Sequence, residues 1–143
     1  MMPDLFDILQ TGHYSLVVRN GETKTFTGRG VSDLFRLYGE HPAFLQGAEI
    51  ADKVVGKAAA SLMILGGVRK LQTGTISSLA LELLRKYPVE VSFLQEVPHI
   101  ENRGKTGWCP LESRCRDLQT PQECLLSITD FINAQNAGTS IQK

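Results

Sequence analysis

Residues 51–65 read ADKVVGKAAASLMIL, and the rest of the chain can be organised around this stretch. Its apolar residues recur at spacings of one, three and four positions, which is typical of an α-helix with a wide apolar stripe. They are Ala51, Val54, Val55, Ala58, Leu62 and Leu65. The pattern predicts a core helix that begins near Asp52 and Lys53 and ends at Gly66-Gly67.

Length and charge limit the classes of protein to which the chain can belong. Its 143 residues suit one compact domain over 1–143, with 136–143 as a frayed tail. Fifteen basic and fifteen acidic residues give no net charge, so we expect no bulk nucleic-acid binding. The chain lacks a signal-peptide pattern and an apolar run that could span a bilayer, so no membrane partner is expected. Three cysteines argue against a disulfide framework and favour a cytoplasmic protein.

The elements on either side of the central stretch predict an α/β domain. Asn20-Gly21 lies between two short β-like runs, which is a strong hairpin signal. After the central helix, a strand from Val68, a helix up to Tyr87 and a strand over 89–93 predict a parallel strand–helix–strand unit. Thr120-Pro121-Gln122-Glu123 is a capping box that opens the last helix. We therefore expect a mixed sheet of four or five strands with helices on both faces, in three α/β/α layers.

Ligands of open α/β sheets collect at the carboxyl ends of parallel strands, beside helix amino termini that attract anions. We expect this rim to gather Asp52 and Lys53, the loop 74–78, the loop 97–108 and Cys109. Asp52 and Lys53 are candidates for a proton-transfer or anion-binding pair, and Lys57 would extend the pocket. Alternatively, Asp52 caps the helix while the two lysines lie at its solvent margin.

The two loops supply further candidate ligand contacts. Gly74 would let the backbone approach a ligand, while Thr75 and Ser77 offer hydroxyls that could equally serve as helix caps. Asn102, Arg103 and Trp108 could clamp and stack on an anionic or aromatic ligand, or could belong to a solvated polar loop.

Cys109 stands where a short helix begins, a position that favours a nucleophilic thiolate. Glu112 works against this by adding negative charge, and we include it among the ligand contacts. Its alternative role is to reach back to the backbone as half of a capping box. Cys115 and Cys124 fall on apolar stripes and are expected in the core. No Cys-x-x-Cys occurs, so the sequence predicts neither a metal nor a cofactor.

Two blocks, GAEIADKVVGKAAASLMILGGV and IENRGKTGWCPLE, resemble a bacterial and archaeal family described only as a domain of unknown function. The resemblance covers roughly Tyr14 to Phe131 and implies a cytidine-deaminase-like fold. The zinc motifs of deaminases would fall on Ala51-Asp52-Lys53 and Thr75-Ile76-Ser77-Ser78, which contain no thiol, imidazole or glutamate.

These observations leave two hypotheses from different classes. In the first, a metal-free deaminase-like pocket binds a small anionic or nucleotide-like ligand, and in one version it is an enzyme with Cys109 as nucleophile and Asp52 and Lys53 in catalytic roles. In the second, the fold serves as a non-catalytic regulatory or interaction module, for example as a homodimer. The sequence does not decide whether the chain is an enzyme.

Overall fold

The computed structural model describes residues 4–28, 31–102 and 104–141, with side chains described up to residue 135. Its elements follow in the order α1 (Leu5–Thr11), β1 (Leu16–Asn20), β2 (Glu22–Phe26), α2 (Ser32–Glu40), α3 (Pro42–Leu45), β3 (Glu49–Val55), α4 (Lys57–Gly66), β4 (Lys70–Ser77), α5 (Ser78–Leu84), β5 (Glu90–Val97), α6 (Pro110–Cys115) and α7 (Pro121–Ile141). Among the described residues, no helix combines the length and the apolar character needed to cross a bilayer.

The sheet has five strands in the order β2-β1-β3-β4-β5. β1 pairs antiparallel with both β2 and β3, whereas β3, β4 and β5 are parallel. The predicted hairpin is present, with Asn20 paired to Glu22 across Gly21, whose φ is +81°. The predicted parallel unit is also present as β4–α5–β5, so the expectation of a mixed α/β sheet is confirmed.

The central stretch is not one helix, and this corrects the sequence prediction. Residues up to Val55 form β3, Gly56 is extended, and α4 begins at Lys57. Apolar residues at 51, 54 and 55 fit a strand as well as a helix, and short apolar runs of this kind are ambiguous. Pairing with β1 on one side and β4 on the other selects the strand. The helix does end at Gly67, which takes the left-handed conformation with φ +80°.

Two other element boundaries differ from the predictions. β4 extends to Ser77, so Gly74 and Thr75 lie in a strand and not in a loop, because both neighbouring strands continue the parallel ladder past them. α7 continues to Ile141, past residue 136 where the predicted tail begins, and the fraying of that tail stays a prediction.

Side chains of the sheet divide between a large core and a small one. Leu16, Val18 and Ile50 join the large cluster beneath α2–α7, which also contains Cys115 and Cys124, as predicted. Val17 and Ala51 point to the opposite face, where they pack with Leu5 and Leu9 of α1. Because side chains alternate along β1 and β3, both faces of the sheet carry apolar residues that helices cover. Helices α2–α7 cover the face with the large cluster, and α1 covers the other.

Candidate functional site

Asp52 and Lys53 lie in the middle of β3, so neither stands at a helix start. Asp52 pairs in register with Leu16, which faces the large core, and with Thr73. It is partly buried, and burial raises its pKa to about 7, although backbone hydrogen bonds from residues 53 and 54 oppose the shift. Lys53 is exposed. Because consecutive strand residues point to opposite faces, the two side chains do not form the expected pair.

The amino terminus of α4, where an anion was expected to bind, is occupied by the carboxylate of Glu112. Glu112 is only 2% exposed. Its Oε1 accepts a 2.8 Å hydrogen bond from the Lys57 backbone N–H, and its Oε2 accepts one of 2.8 Å from the Ile100 N–H. A Cβ at Gly56 would lie 3.2 Å from Glu112 Oε1 and from Ile100 Cγ1, so glycine permits this close approach.

These contacts show that Glu112 does not form the predicted capping box with the start of its own helix. The N–H of Cys109 donates to Ile100 O, and the Glu112 carboxylate bonds to two segments that are distant in sequence. Glu112 therefore satisfies the free N–H groups of another helix, which is the electrostatic role an external anion would have had there.

Lys57 is buried, at 8% exposure, instead of lying at a helix margin. Its Nζ donates to Arg116 O at 3.2 Å and to Leu118 O at 2.5 Å. These carbonyls lie just after α6, where the helix leaves acceptors unpaired. Lys57 and Glu112 thus tie both ends of α6 to the start of α4.

The predicted loop 74–78 is used within the protein in three different ways. A Cβ at Gly74 would lie 3.3 Å from Lys53 O and 3.7 Å from the Phe6 ring, so this glycine makes room for α1. Thr75 accepts a 3.1 Å bond on its carbonyl from Thr73 Oγ1. Ser77 is fully buried, and its Oγ accepts a 3.1 Å bond from the Ala80 N–H as the cap of α5.

The predicted loop 97–108 is folded back on itself as a small hairpin. Glu101 bridges to Trp108, and the amide of Asn102 is engaged by the backbone N–H and hydroxyl of Thr106 at 3.1 and 3.2 Å. Trp108 stacks on His99 with ring centroids 4.2 Å apart and carries the Arg116 guanidinium 4.9 Å from its own centroid. Arg103 lies outside the described residues.

The three thiols occupy apolar surroundings. Cys109 is partly buried against the large core, at the start of a helix of only six residues. Cys115 and Cys124 have no exposed surface, and the hydrogen bond to Cys124, followed by burial, raises the pKa of the Cys115 thiol. Within the described ranges, no group of three or more His, Cys, Asp or Glu side chains is arranged to hold a metal ion.

A cleft that the sequence did not predict lies beside the buried lysine. We call it the Lys57 cleft; it has a volume of about 100 Å³ and is lined by Lys57, Leu79, Glu82, Leu83, Lys86, Arg116, Leu118 and Gln119. A second, larger depression of about 340 Å³ is lined by residues 46–47, 64, 67–69 and 87–89. Asp52, Ser77 and Cys109 line neither, so the two described cavities do not join the predicted site residues.

The Lys57 cleft carries an excess of positive charge. Three cationic side chains, Lys57, Lys86 and Arg116, line it with one acidic residue, Glu82. Lys86 and Arg116 are thirty positions apart and lie in polar stretches at the ends of short helices, so nothing in their local sequence marked them as partners. Lys57 is hydrogen-bonded to the α6–α7 connection, which lines the cleft together with α5.

The fold is similar to that of a protein of known structure. A crystal structure of a DUF1893 family protein (TM1506) from Thermotoga maritima matches with a TM-score of 0.81 and 24% sequence identity, covering 87% of this chain and 84% of that one. None of the curated proteins compared with the chain matches it in sequence. The model of the TM1506 family, described as a domain of unknown function (DUF1893), matches residues 4–132. Because that match spans most of the sequence, the chain belongs to the DUF1893 family.

Proposed function

We propose that this domain binds a small oxyanion, such as the phosphate or carboxylate group of a metabolite, in the Lys57 cleft. The observation that carries the proposal is the cleft's charge: three cations and one carboxylate line a mainly polar depression. A concave site with an excess of one sign of charge concentrates counter-ions, and lysine and arginine are the usual protein donors to phosphate and carboxylate oxygens.

The size of the cleft restricts what it can hold. At about 100 Å³ it accommodates a few water molecules or one small oxyanion, whereas pockets for larger organic ligands are typically several hundred Å³. A nucleotide would therefore be held by a phosphate group, with its base and sugar outside. Of the anionic or nucleotide-like ligand expected from the sequence, only the charged group would lie inside the cleft.

One of the cations, Lys57, is held in place before any ligand arrives. Hydrogen bonds from Lys57 Nζ to two carbonyls fix its ammonium at the cleft wall. The Arg116 guanidinium lies 4.9 Å from the centroid of Trp108, which stacks on His99, and its Nε lies 4.0 Å from Asp117 Oδ1, while 58% of the side chain is exposed. Side chains that are already ordered lose less conformational entropy on binding, which favours affinity.

We also propose that the fold is of the cytidine-deaminase-like kind. The strand order, the parallel β3–β4–β5 block and the helices that follow β3 and β4 support this assignment. Helices α4 and α5 begin at Gly56-Lys57 and Ser77-Ser78, which corrects the alignment of deaminase motifs with Ala51-Asp52-Lys53 and Thr75. Neither start offers a zinc ligand, and Cys109 does not line the cleft, so the proposed activity is binding and includes no thiol chemistry.

The test is thermal unfolding with increasing inorganic phosphate, against sodium chloride at equal ionic strength. For a Kd of about 1 mM, 10 mM phosphate should stabilise the protein by about 1.4 kcal/mol, which corresponds to roughly 4 °C. Lys86→Met and Arg116→Met should each reduce that shift by half or more, because each removes one cation from the cleft.

Arg114→Met is the matched control. Arg114 is an exposed arginine of α6, two positions before Arg116, and its guanidinium lies 5.2 Å from the Phe131 centroid, but it does not line the cleft. Phosphate should stabilise this variant as much as it stabilises the wild type. A chloride effect equal to that of phosphate, or a phosphate shift that survives both cleft substitutions, would refute the proposal.

A further inference from the structure

The outer edge of β5 is exposed along its length. β5 is the last strand of the sheet, and in the described part of the chain it pairs only with β4. Six of its eight residues are exposed, including Phe93 at 38% and Leu94 at 73%. An edge strand of this length presents a row of backbone N–H and C=O groups that can pair with another strand.

This edge lacks the features with which monomeric proteins usually protect such strands. Residues 90–97 read EVSFLQEV and contain no lysine, proline or glycine, and the charged residues stand near the two ends. The opposite edge is different, because β2 reads ETKTF and carries Lys24 in its centre. A long edge with exposed apolar residues in the middle favours association over isolation.

We propose that two copies of this chain associate through β5, with their edges paired antiparallel and Leu94 facing its own counterpart at the twofold axis. The two sheets would then form one continuous sheet of ten strands. This interface involves no residue of the Lys57 cleft, so it is independent of the anion-binding proposal.

The residue pattern of β5 supports a second copy as the partner. In this register Val91 lies opposite Val97, Phe93 opposite Gln95 and Ser92 opposite Glu96, in addition to the central leucine pair. Apolar residues thus meet across the axis and no glutamate lies opposite another. Moving the centre of pairing by one residue, to Phe93, would place Glu90 opposite Glu96 twice, which is destabilising.

The first experiment measures the mass of the intact chain in solution by light scattering or sedimentation at several concentrations. The wild type should be a dimer, and Leu94→Lys should be a monomer of unchanged fold by circular dichroism, since a side chain that is 73% exposed contributes little to the monomer. Leu126→Lys is the matched control, because Leu126 is 70% exposed but lies on α7, and it should remain dimeric.

The second experiment tests the register by disulfide formation in a Cys109→Ser background. Opposed residues of antiparallel strands have Cα atoms about 4.5–5.5 Å apart, within the range of a disulfide, so Leu94→Cys should give a covalent dimer. Ser92→Cys, on the same strand, would place its two thiols roughly 14 Å apart and should remain unlinked.

Three results would overturn the interface. They are a monomeric wild type at all concentrations, a dimer that persists in Leu94→Lys, and cross-linking of Ser92→Cys as rapid as that of Leu94→Cys.

Discussion

Two acidic residues, Glu112 of α6 and Asp52 of β3, are both withdrawn from water but differ in how well their carboxylate oxygens are hydrogen-bonded. Glu112 is almost fully buried, but each of its oxygens accepts a hydrogen bond from a backbone N–H. Asp52 lies beside Leu16 and Thr73, and there the cost of removing its charge from water exceeds the benefit of its backbone hydrogen bonds, so its pKa rises to about 7. A carboxylate can be buried in its charged form where hydrogen bonds to its oxygens replace water. Where those bonds do not compensate for the loss of water, burial raises its pKa.

Replacing Asp52 with asparagine should change how stability depends on pH. At pH 4 the carboxyl is largely protonated in the folded protein, so the two proteins should be similarly stable. Between pH 4 and pH 8 the unfolded chain loses the proton first, because its pKa of 3.8 lies below the folded value of about 7, and the wild type loses stability. Each pKa unit is worth about 1.4 kcal/mol. Because the side chain keeps some exposed surface, we expect Asp52→Asn to be the more stable protein at pH 8 by about 2 kcal/mol.

Urea unfolding at pH 4, 6 and 8 measures this effect. Asp117→Asn is the control, because the Asp117 side chain is 95% exposed and its ion pair with Arg116 spans 4.0 Å, so the same substitution there should change the free energy of unfolding by less than about 0.5 kcal/mol. A difference between wild type and Asp52→Asn that is the same at all three pH values would contradict the inferred protonation.

At the scale of elements, hydrogen bonds between α4 and α6 hold the short helix α6 in place. α6 has only six residues and would not be stable alone, since isolated helices of this length are marginal. Glu112 joins the first turn of α6 to α4 and to the backbone of Ile100, and Lys57 joins two carbonyls just after α6 to α4. The short helix is therefore held in place by hydrogen bonds from residues far away in sequence.

Glu112→Ala should be strongly destabilising, because it leaves the backbone N–H groups of Lys57 and Ile100 without an acceptor. At about 1–3 kcal/mol for each unsatisfied buried donor, the expected loss in free energy of unfolding for the two donors is roughly 2–6 kcal/mol. Chemical denaturation measures it, and Glu101→Ala, an exposed glutamate of the same hairpin, should change stability by less than about 0.5 kcal/mol. Equal effects of the two substitutions would show that the carboxylate does not hold these segments together.

For the whole molecule, the sheet separates two apolar clusters of very different size. The larger one contains most of the buried side chains, and the smaller one is formed by Leu5, Leu9, Val17 and Ala51 beneath the single short helix α1. A helix that packs over only part of a sheet face can shift to fill a cavity more easily than the centre of a large core can.

Equivalent truncations should therefore have unequal costs in the two clusters. Leu62 is 0% exposed and Leu9 is 3% exposed, so burial alone would predict nearly the same loss. We expect Leu62→Ala to lower the free energy of unfolding by about 4 kcal/mol and Leu9→Ala by about 2 kcal/mol, within the range for leucine truncation. Denaturant titration of both variants tests this, and an equal or larger loss for Leu9→Ala would mean that α1 is as rigidly packed as α4.

The sequence predicted those features that depend on neighbouring residues. Asn20-Gly21 predicted the hairpin because both residues tolerate the turn geometry, and Thr120 with Glu123 predicted a cap whose reciprocal hydrogen bonds are present at 3.1 Å. The apolar stripe from Ile76 to Tyr87 predicted a helix, which the structure shows over the shorter range Ser78–Leu84, and the alternation after Pro88 predicted β5. For the hairpin and the cap the stabilising contacts lie within a few positions, so one stretch of sequence contains the whole signal. β5 also depends on its ladder with β4, twenty positions away.

Tertiary structure alone decided the state of residues 51–55 and the location of the site. Ala51, Val54 and Val55 satisfy both a helical and an extended pattern, and pairing with β1 and β4 selected the strand. That choice separated Asp52 from Lys53 and moved the helix start to Lys57, where Glu112, fifty-five positions away, supplies the anion. The Lys57 cleft likewise joins residues from two helices, α4 and α5, and from the two connections that follow α5 and α6. Hydrogen bonds between distant segments, which no local pattern encodes, link Lys57 to one of these connections.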